Sequence, residues 1–473
     1  MKNKLAKKFI TFSYGSLFGA VVAFLSTVLM ARVFSPEDFG KASMFTLFVN
    51  LATILIIFGT DQAFVRFFYE EKIHLRGALL QNCLKVSFIL FIPILGLFFF
   101  LRKYVMSFLF SDYNFYIFAA IIFATIVQIL HRFASLTLRM EQKANAYSIL
   151  EILNKLLILL GILFFSHFIG GNYLSLIYAT IFGYSVILIC LLFYQKDYWK
   201  FKKQQDVLHS KVTIWKFSYP LAFTLAVMWL FEGIDKFALR RWSSFEELGL
   251  YAAAFKIIGL IAVLKTAFTT FWTPVAYEQF QNNPREKLFF TNISKIVSVI
   301  MILVGVAIIM FRDIIIMLLG SEYKEASSLL SFLVFVPIMY TISETTVIGI
   351  NFYKKVKWHM FIVCISCICN FFGNWIMVPS YGAMGASIST GVSYIVFFIL
   401  RTFISKYYFK VDYGLVKLFI SVGLLGAYSL FSIFPHDPKI NYGVGTLVLC
   451  MICSIYLKDI NLIKGKLVGK TLN

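Results

Sequence analysis

The chain is expected to be an all-α polytopic membrane protein, with about 14 transmembrane helices in two pseudo-symmetric six-helix bundles and two extra C-terminal helices. Composition is the first reason. Of 473 residues, 60% are hydrophobic and 14% charged, and the mean hydropathy is +0.82, which leaves too little polar surface to cover a water-soluble core. The second is that apolar segments of about 20 residues or more recur along the whole chain, the length a helix needs to cross about 30 Å of hydrocarbon. The third is an internal duplication. Arg32-Val33-Phe34-Ser35-Pro36-Glu37-Asp38-Phe39-Gly40 is echoed 209 positions later by Arg241-Trp242-Ser243-Ser244-Phe245-Glu246-Glu247-Leu248-Gly249. Leu109–Tyr113 returns at an offset of 210 as Leu319–Tyr323, and a weaker pair, Lys143 and Tyr147, returns at 211 as Lys354 and Trp358. Near-constant offsets identify half-repeats of roughly 210 residues.

The first span, about 10–34, follows Lys2, Lys4, Lys7 and Lys8. It is too long for a signal peptide and lacks a small-residue cleavage site, so it reads as an uncleaved helix. Spans at about 41–65, 78–101, 114–138, 145–169 and 173–194 complete an N-terminal lobe, residues 1–194. Residues 195–212, with Lys196, Lys200, Lys202, Lys203 and Lys211, form a basic cytoplasmic linker. A C-terminal lobe, 213–410, holds spans at about 213–241, 249–275, 291–311, 326–350, 358–378 and 383–408. Residues 411–473 carry the unrepeated spans 412–434 and 441–457 and a cytoplasmic tail. Six helices per half give both halves the same orientation, the pattern of parallel repeats that hold a site between them and alternate access by rocking. Pro93, Pro220, Pro274 and Pro337 fall inside spans, where each removes a backbone hydrogen bond and bends its helix. Pro220 and Pro274 open the second lobe, as a hinge or as packing kinks.

A net charge of +21 invites a nucleic-acid reading. Its placement argues otherwise. Counted over alternate loops from a cytoplasmic N-terminus, 26 Lys and Arg fall inside and 9 outside, the positive-inside pattern, which puts both termini in the cytoplasm. The seven cysteines all sit in apolar segments, so Cys364-x-x-Cys367 and Cys450-x-x-Cys453 read as buried small hydrophobes, not metal ligands. No outside loop reaches 20 residues, which disfavours a membrane polymerase or glycosyltransferase needing an extramembrane catalytic segment.

The remaining cations lie within or near spans: Lys85, Arg132, Lys155, Lys216, Lys236, Lys256, Lys265, Lys295 and Lys417. Buried charge needs a partner or a wet cavity. Lys216, Lys295 and Lys417 are near cytoplasmic ends and can snorkel. Glu151 with Lys155, and Glu232 with Lys236, are spaced i,i+4 and can neutralise one another. Lys256 and Lys265, nine residues apart, face opposite sides of a continuous helix. Arg66, Arg132, Lys155, Lys236, Lys256 and Lys265 are the candidates for a basic lumen that would bind a diphosphate and its sugar through charge-assisted hydrogen bonds. Asp61, Asp235 and Glu344 are candidates for Na+ or H+ coupling, or balance a neighbouring cation.

The duplicated Arg32–Gly40 and Arg241–Gly249 stretches resemble the O-antigen and capsular polysaccharide flippases of the multidrug/oligosaccharidyl-lipid/polysaccharide exporter superfamily. So do Gly59-x-Asp61-x-x-x-x-Arg66, Ser218-Tyr219-Pro220-Leu221 followed by Asp235-Lys236-Phe237, and Gly320-Ser321-Glu322-Tyr323-x-x-Ala326. The likeness covers essentially the whole chain. It implies two six-helix lobes and passage of an undecaprenyl-diphosphate-linked oligosaccharide from the cytoplasmic to the periplasmic leaflet of a bacterial inner membrane. It also implies basic cavity residues for the cargo, an ion gradient as driving force, no catalysis and a polysaccharide polymerase complex as neighbour. Arg66 and Lys236 occupy motif positions that are charged in the family. Relatives often carry Arg where this chain has Lys236, which puts bidentate phosphate binding there in question. The alternative within the same superfamily is a multidrug extruder.

Overall fold

The computed structural model describes residues 19, 21–111, 113–200, 208–283, 286–434 and 437–468, and among these all regular elements are helices. Lys2, Lys4, Lys7 and Lys8, and Lys202 and Lys203 of the linker, lie outside the described residues. Ten of the described helices are long and apolar enough to cross a membrane, and two shorter ones are also apolar. Among the described residues each expected span falls on helical segments, and residues 10–18 and 20 of the first lie outside them. The chain packs as two compact units, residues 1–249 and 250–473.

The first unit runs through α1 (Val21–Val33), α2 (Pro36–Ile57), α3 (Thr60–Phe67), α4 (Arg76–Phe100), α5 (Arg102–Phe110), α6 (Phe115–Met140), α7 (Ala144–Ile169), α8 (Tyr173–Tyr194), α9 (Lys196–Trp199) and α10 (Lys211–Trp242). It ends in the first turn of α11 (Phe245–Gly259). The repeated stretch is a helix start. Ser35 caps α2: its Oγ accepts from the Asp38 backbone N–H at 3.2 Å and pairs with the Asp38 carboxylate at 2.7 Å, with Pro36 at the first helical positions. In the second copy the Glu247 N–H donates to Ser244 Oγ at 3.2 Å, and Ser243 Oγ donates to Glu247 Oε2 at 2.8 Å. The two conserved-spacing glycines meet each other: a Cβ on Gly40 would lie 2.2 Å from the Phe245 carbonyl oxygen, and one on Gly249 only 1.7 Å from that of Pro36.

α2 stops at Phe58 and Gly59, both left-handed with φ of 49° and 76°. Phe58 stacks on Trp215 of α10, and Gly59 lies so close to α10 that a Cβ would sit 2.8 Å from the Ser218 carbonyl oxygen. The chain therefore restarts as α3 at a new angle, and Phe64 and Phe68 of α3 join Leu79, Leu80 and Cys83 of α4 and Phe133 of α6 in one core. Both ends of the basic linker are held in this unit. Buried Gln195 donates to the Ala134 carbonyl at 3.0 Å, while the N–H groups of Leu208 and His209 donate to Glu71 and His209 stacks on Phe67. α10, where the second repeat begins, packs on α2, α3 and α4, and Arg240 near its end donates to the carbonyls of Phe108 and Ser107 on α5.

The second unit contains the rest of α11, α12 (Ile261–Asn282), α13 (Lys287–Met310), α14 (Arg312–Met317), α15 (Ala326–Leu333), α16 (Phe335–Thr346), α17 (Ile348–Phe352), α18 (Lys357–Tyr408), α19 (Leu415–Phe431) and α20 (Pro438–Val468). The expected single span 326–350 is thus broken at Val334 and Val347. α18, at 52 residues, is far longer than a bilayer is thick, and Gly382 (φ 49°, ψ −130°) divides it where the spans 358–378 and 383–408 were expected to part. Trp272, Phe290, Phe352 and Phe409 pack face and edge in its core. The two extra helices are bound into this unit by buried polar links. Arg312 donates to Ser331 at 3.0 Å, Ser432 of the turn after α19 pairs with Ser331 at 2.8 Å, and Asn441 of α20 donates to the Ile309 carbonyl at 3.3 Å.

The third repeat anchor is shifted by one residue from the sequence alignment. Gln142 and Lys354 both turn left-handed, with φ of 56° and 55°, and the following N–H groups, of Lys143 and Lys355, reach back to the Leu138 and Ile350 carbonyls. Lys143 therefore corresponds to Lys355, not Lys354, because the local helix stop and not the side chain sets the register.

Gly249→Ala should destabilise the protein by about 1–3 kcal/mol through overpacking against Pro36. Gly96→Ala, where nothing lies within 4 Å, should not lower stability. Thermal unfolding of the detergent-purified chain, followed by tryptophan fluorescence, checks both; equal behaviour would contradict the close crossing.

Candidate substrate cavity

A cavity of about 450 Å³ opens within the first unit. One face of α6 lines it over three turns, with Gln128, His131, Arg132, Ser135 and Arg139 recurring every three or four residues. α7 supplies Tyr147, Glu151, Asn154 and Lys155, and α2, α8 and α10 add Asn50, Thr53, Tyr184 and Trp229.

Asp61 is placed there by the break before α3. Its carboxylate, 5% exposed, sits in the first turn of α3 near the positive end of that helix. Gln62 donates to it through its backbone N–H at 2.9 Å and its amide at 3.0 Å. Arg132 closes the group, with Nη2 at 2.9 Å and Nε at 3.2 Å from the same Asp61 oxygen. The arginine side chain is 48% exposed, so Asp61 fixes one edge of the guanidinium while its other N–H groups remain on the cavity side. Glu151 is hydrogen-bonded to Tyr147 one turn back, and His131 lies within electrostatic reach of both Arg132 and Lys155. At the turn between α6 and α7, Glu141 accepts from Tyr198 at 2.9 Å and pairs with Lys143 at 2.8 Å. The Glu141 hydrogen bond raises Lys143 above the usual lysine range. Burial, reinforced by Glu141, pushes Tyr198 up to about 12.

Of the residues named from sequence, Asp61, Arg132 and Lys155 come together in this cavity. Arg66 does not line it; it is exposed and ion-paired with Glu70 one turn away. Asp235, 1% exposed, and its neighbour Lys236 lie on α10 and are not among the lining residues. Lys256, Lys265 and Glu344 belong to the second unit. Lys256 is exposed, and Lys265 places its ammonium 3.7 Å from the centre of the Tyr340 ring. Glu344 accepts from Arg401 at 2.8 Å, and the same arginine donates to Ser343 at 2.6 Å over the rings of Tyr340 and Phe397.

Arg401 was missed as a site residue because it counts among the 26 cytoplasmic-side cations, although it stands seven residues inside the end of its span. Burial to 6% exposure makes it an ion-pair partner and removes it from the topology signal. Arg139 was hidden by the same counting, since it lies at the end of α6 and still reaches the cavity.

Arg401→Met should leave Glu344 buried without its cation and cost about 3–5 kcal/mol. The double variant with Glu344→Gln should recover most of that loss, because both charges are gone. Thermal denaturation of the single and double variants decides it, and additive losses would contradict the pair.

Residues 5–278 match the family described as polysaccharide biosynthesis protein. The capsular polysaccharide biosynthesis protein CapF of Staphylococcus aureus is 22% identical over 436 residues, which cover 86% of this chain and 99% of that protein. Among solved structures, an inward closed form of the lipid II flippase MurJ superposes with a TM-score of 0.71 at 17% identity, covering 95% of this chain and 99% of that one. An inward-facing multidrug resistance MATE family transporter of the MOP superfamily gives 0.60 at 16% identity, over 84% and 94%. The fold is therefore that of these multi-pass transporters, and the chain belongs to the polysaccharide biosynthesis protein family.

Proposed function

We propose that this chain flips undecaprenyl-diphosphate-linked oligosaccharide repeat units from the cytoplasmic to the outer leaflet of a bacterial inner membrane, by alternating access, for surface polysaccharide synthesis. Both termini are cytoplasmic in this reading, and a polysaccharide polymerase complex takes up the product. The observation that carries it is the cavity in which Arg132, Arg139 and Lys155 gather among membrane-spanning helices, with Asp61 orienting the first of them. Moving a sugar diphosphate unaided through hydrocarbon would cost tens of kcal/mol, about the Born cost of an unpaired ion in an apolar medium. A wet basic cavity replaces the lost water with N–H donors, and an arginine fork suits phosphate oxygens. Flipping requires no covalent step, so no catalytic group is assigned.

The names of the relatives support the same reading: capsular polysaccharide synthesis for CapF and lipid II flipping for MurJ. That inward-facing and outward-facing MATE structures share the fold supports alternating access. Multidrug extrusion is the second reading, favoured by those same structures. Cations in the cavity count against it, because a cationic drug would be repelled there.

Coupling to a Na+ or H+ gradient belongs to the proposal. Asp61 and Glu344 already hold arginines, so an ion binding at either would have to displace a guanidinium. Asp235, buried beside Lys236, is the third candidate.

Deleting the gene should abolish surface glycan while lipid-linked repeat units accumulate at the inner leaflet. The wild-type chain should restore the glycan, whereas Arg132→Ala should restore about a tenth or less, the loss of one charge-assisted contact. Persistence of the glycan in a strain with no second flippase would sink the proposal, and altered susceptibility to cationic drugs would favour the second reading. In proteoliposomes, flipping of a fluorescent lipid-linked oligosaccharide under an imposed Na+ or pH gradient identifies the ion; an identical rate without either gradient would remove the coupling.

A further inference from the structure

We infer that the uncharged end of the cavity is a subsite for a neutral pyranose, the first sugar attached to the diphosphate; the inference rests on the flippase reading above. The cavity changes chemistry along α6. Arg139, Arg132 and His131 follow one another from the Met140 end, and Gln128 comes one turn further, about 6 Å beyond Arg132 at 1.5 Å per residue. Thr53 of α2 stands at the level of Gln128, since its Oγ donates to the Gln128 amide oxygen at 3.4 Å. Asn50 lies another turn along α2, away from Asp61. Trp229 of α10 lies at the same end, because Gly233, one turn from it, has both the Trp229 ring and Leu47 of α2 against it.

These four side chains carry no charge, and each has a capacity suited to a sugar. With its oxygen engaged by Thr53, the Gln128 amide has two N–H donors left for hydroxyl or acetamido oxygens. Asn50 is exposed and offers both donor and acceptor, and the half-buried Trp229 offers an apolar ring face with one N–H donor. A diphosphate held by Arg132 puts its first sugar one helical turn on, at Gln128 and Trp229. Lys155 of α7, within electrostatic reach of His131, belongs with Arg132 to the diphosphate, and these four side chains bring no charge of their own to the sugar. Small apolar walls with a few oriented polar groups are the usual form of a specificity site.

The test uses the full-length purified protein in detergent and two probes, undecaprenyl diphosphate and undecaprenyl-diphosphate-N-acetylglucosamine, with affinities read by thermophoresis. The wild-type chain should bind the sugar-bearing lipid about tenfold tighter than the bare one, the scale of one or two added hydrogen bonds. Gln128→Leu and Trp229→Leu, each checked for unchanged thermal stability, should bring that ratio to within about twofold. Their affinity for bare undecaprenyl diphosphate should not change, whereas Arg132→Ala should weaken both probes alike. Equal wild-type affinity for the two lipids, or variants that weaken both equally, would overturn the subsite and leave the flippase reading standing. Failure of the wild-type chain to bind either lipid would remove both.

Discussion

The ion pair between Asp61 and Arg132 is what the first unit is arranged to hold. An arginine among apolar helices must find a carboxylate or water, and Arg132 has both: one edge on a nearly inaccessible Asp61, the rest on the cavity. That placement depends on backbone as much as on charge. Had α2 continued as one helix through residue 61, Asp61 would have kept the phase of α2. The left-handed pair Phe58 and Gly59 turns the chain, and only glycine tolerates the approach to Ser218 at that bend. The pair in the second unit uses the same chemistry to another end. Arg401 and Glu344 have side chains only 8% and 12% exposed, so their charges are spent on one another and hold α16 to α18. Exposure, not residue type, separates a clamp from a binding group.

The duplication explains less of the site than its prominence suggests. Its repeated Ser and acidic residues are helix caps, and its repeated glycines make a close crossing. The ion pair has no charge-for-charge counterpart: 210 to 212 residues after Asp61 stand Phe271, Trp272 and Thr273, and after Arg132 stand Ile342, Ser343 and Glu344, the last a carboxylate in place of the arginine. The two halves share these folding signals, whereas the pair of Asp61 with Arg132 belongs to the first.

Span positions were legible because hydrophobic length is a one-dimensional property, and the helices follow it closely from α4 to α8. The breaks at Val334 and Val347 were not, since no glycine or proline stands at either and the torsion angles there remain helical. Asp61, Arg132 and Lys155 could be picked out by the expense of placing charge in hydrocarbon. Which of the picked residues share a cavity could not, because that depends on helix rotation. Arg66 is only five residues from Asp61 and turns to Glu70 instead. Counting also misled at the helix ends, where Arg139 and Arg401 looked like topology signals though one lines the cavity and the other is buried.

For the proposed cargo, the presence of Asp61 and Glu151 beside the cations is an advantage. A carrier gains nothing from holding its load so tightly that release becomes slow. A diphosphate reaching Arg132 meets a guanidinium already neutralised on one edge, so binding trades water and part of an existing ion pair for phosphate contacts, and the net gain is a difference between similar terms. The carboxylate also keeps the arginine in one orientation when no cargo is present, which reduces the ordering required at the moment of binding. Three Arg and Lys cations against two carboxylates leave the lining only slightly positive. That is enough to favour an anion over water, and weak enough to let it go when the cavity opens to the other side.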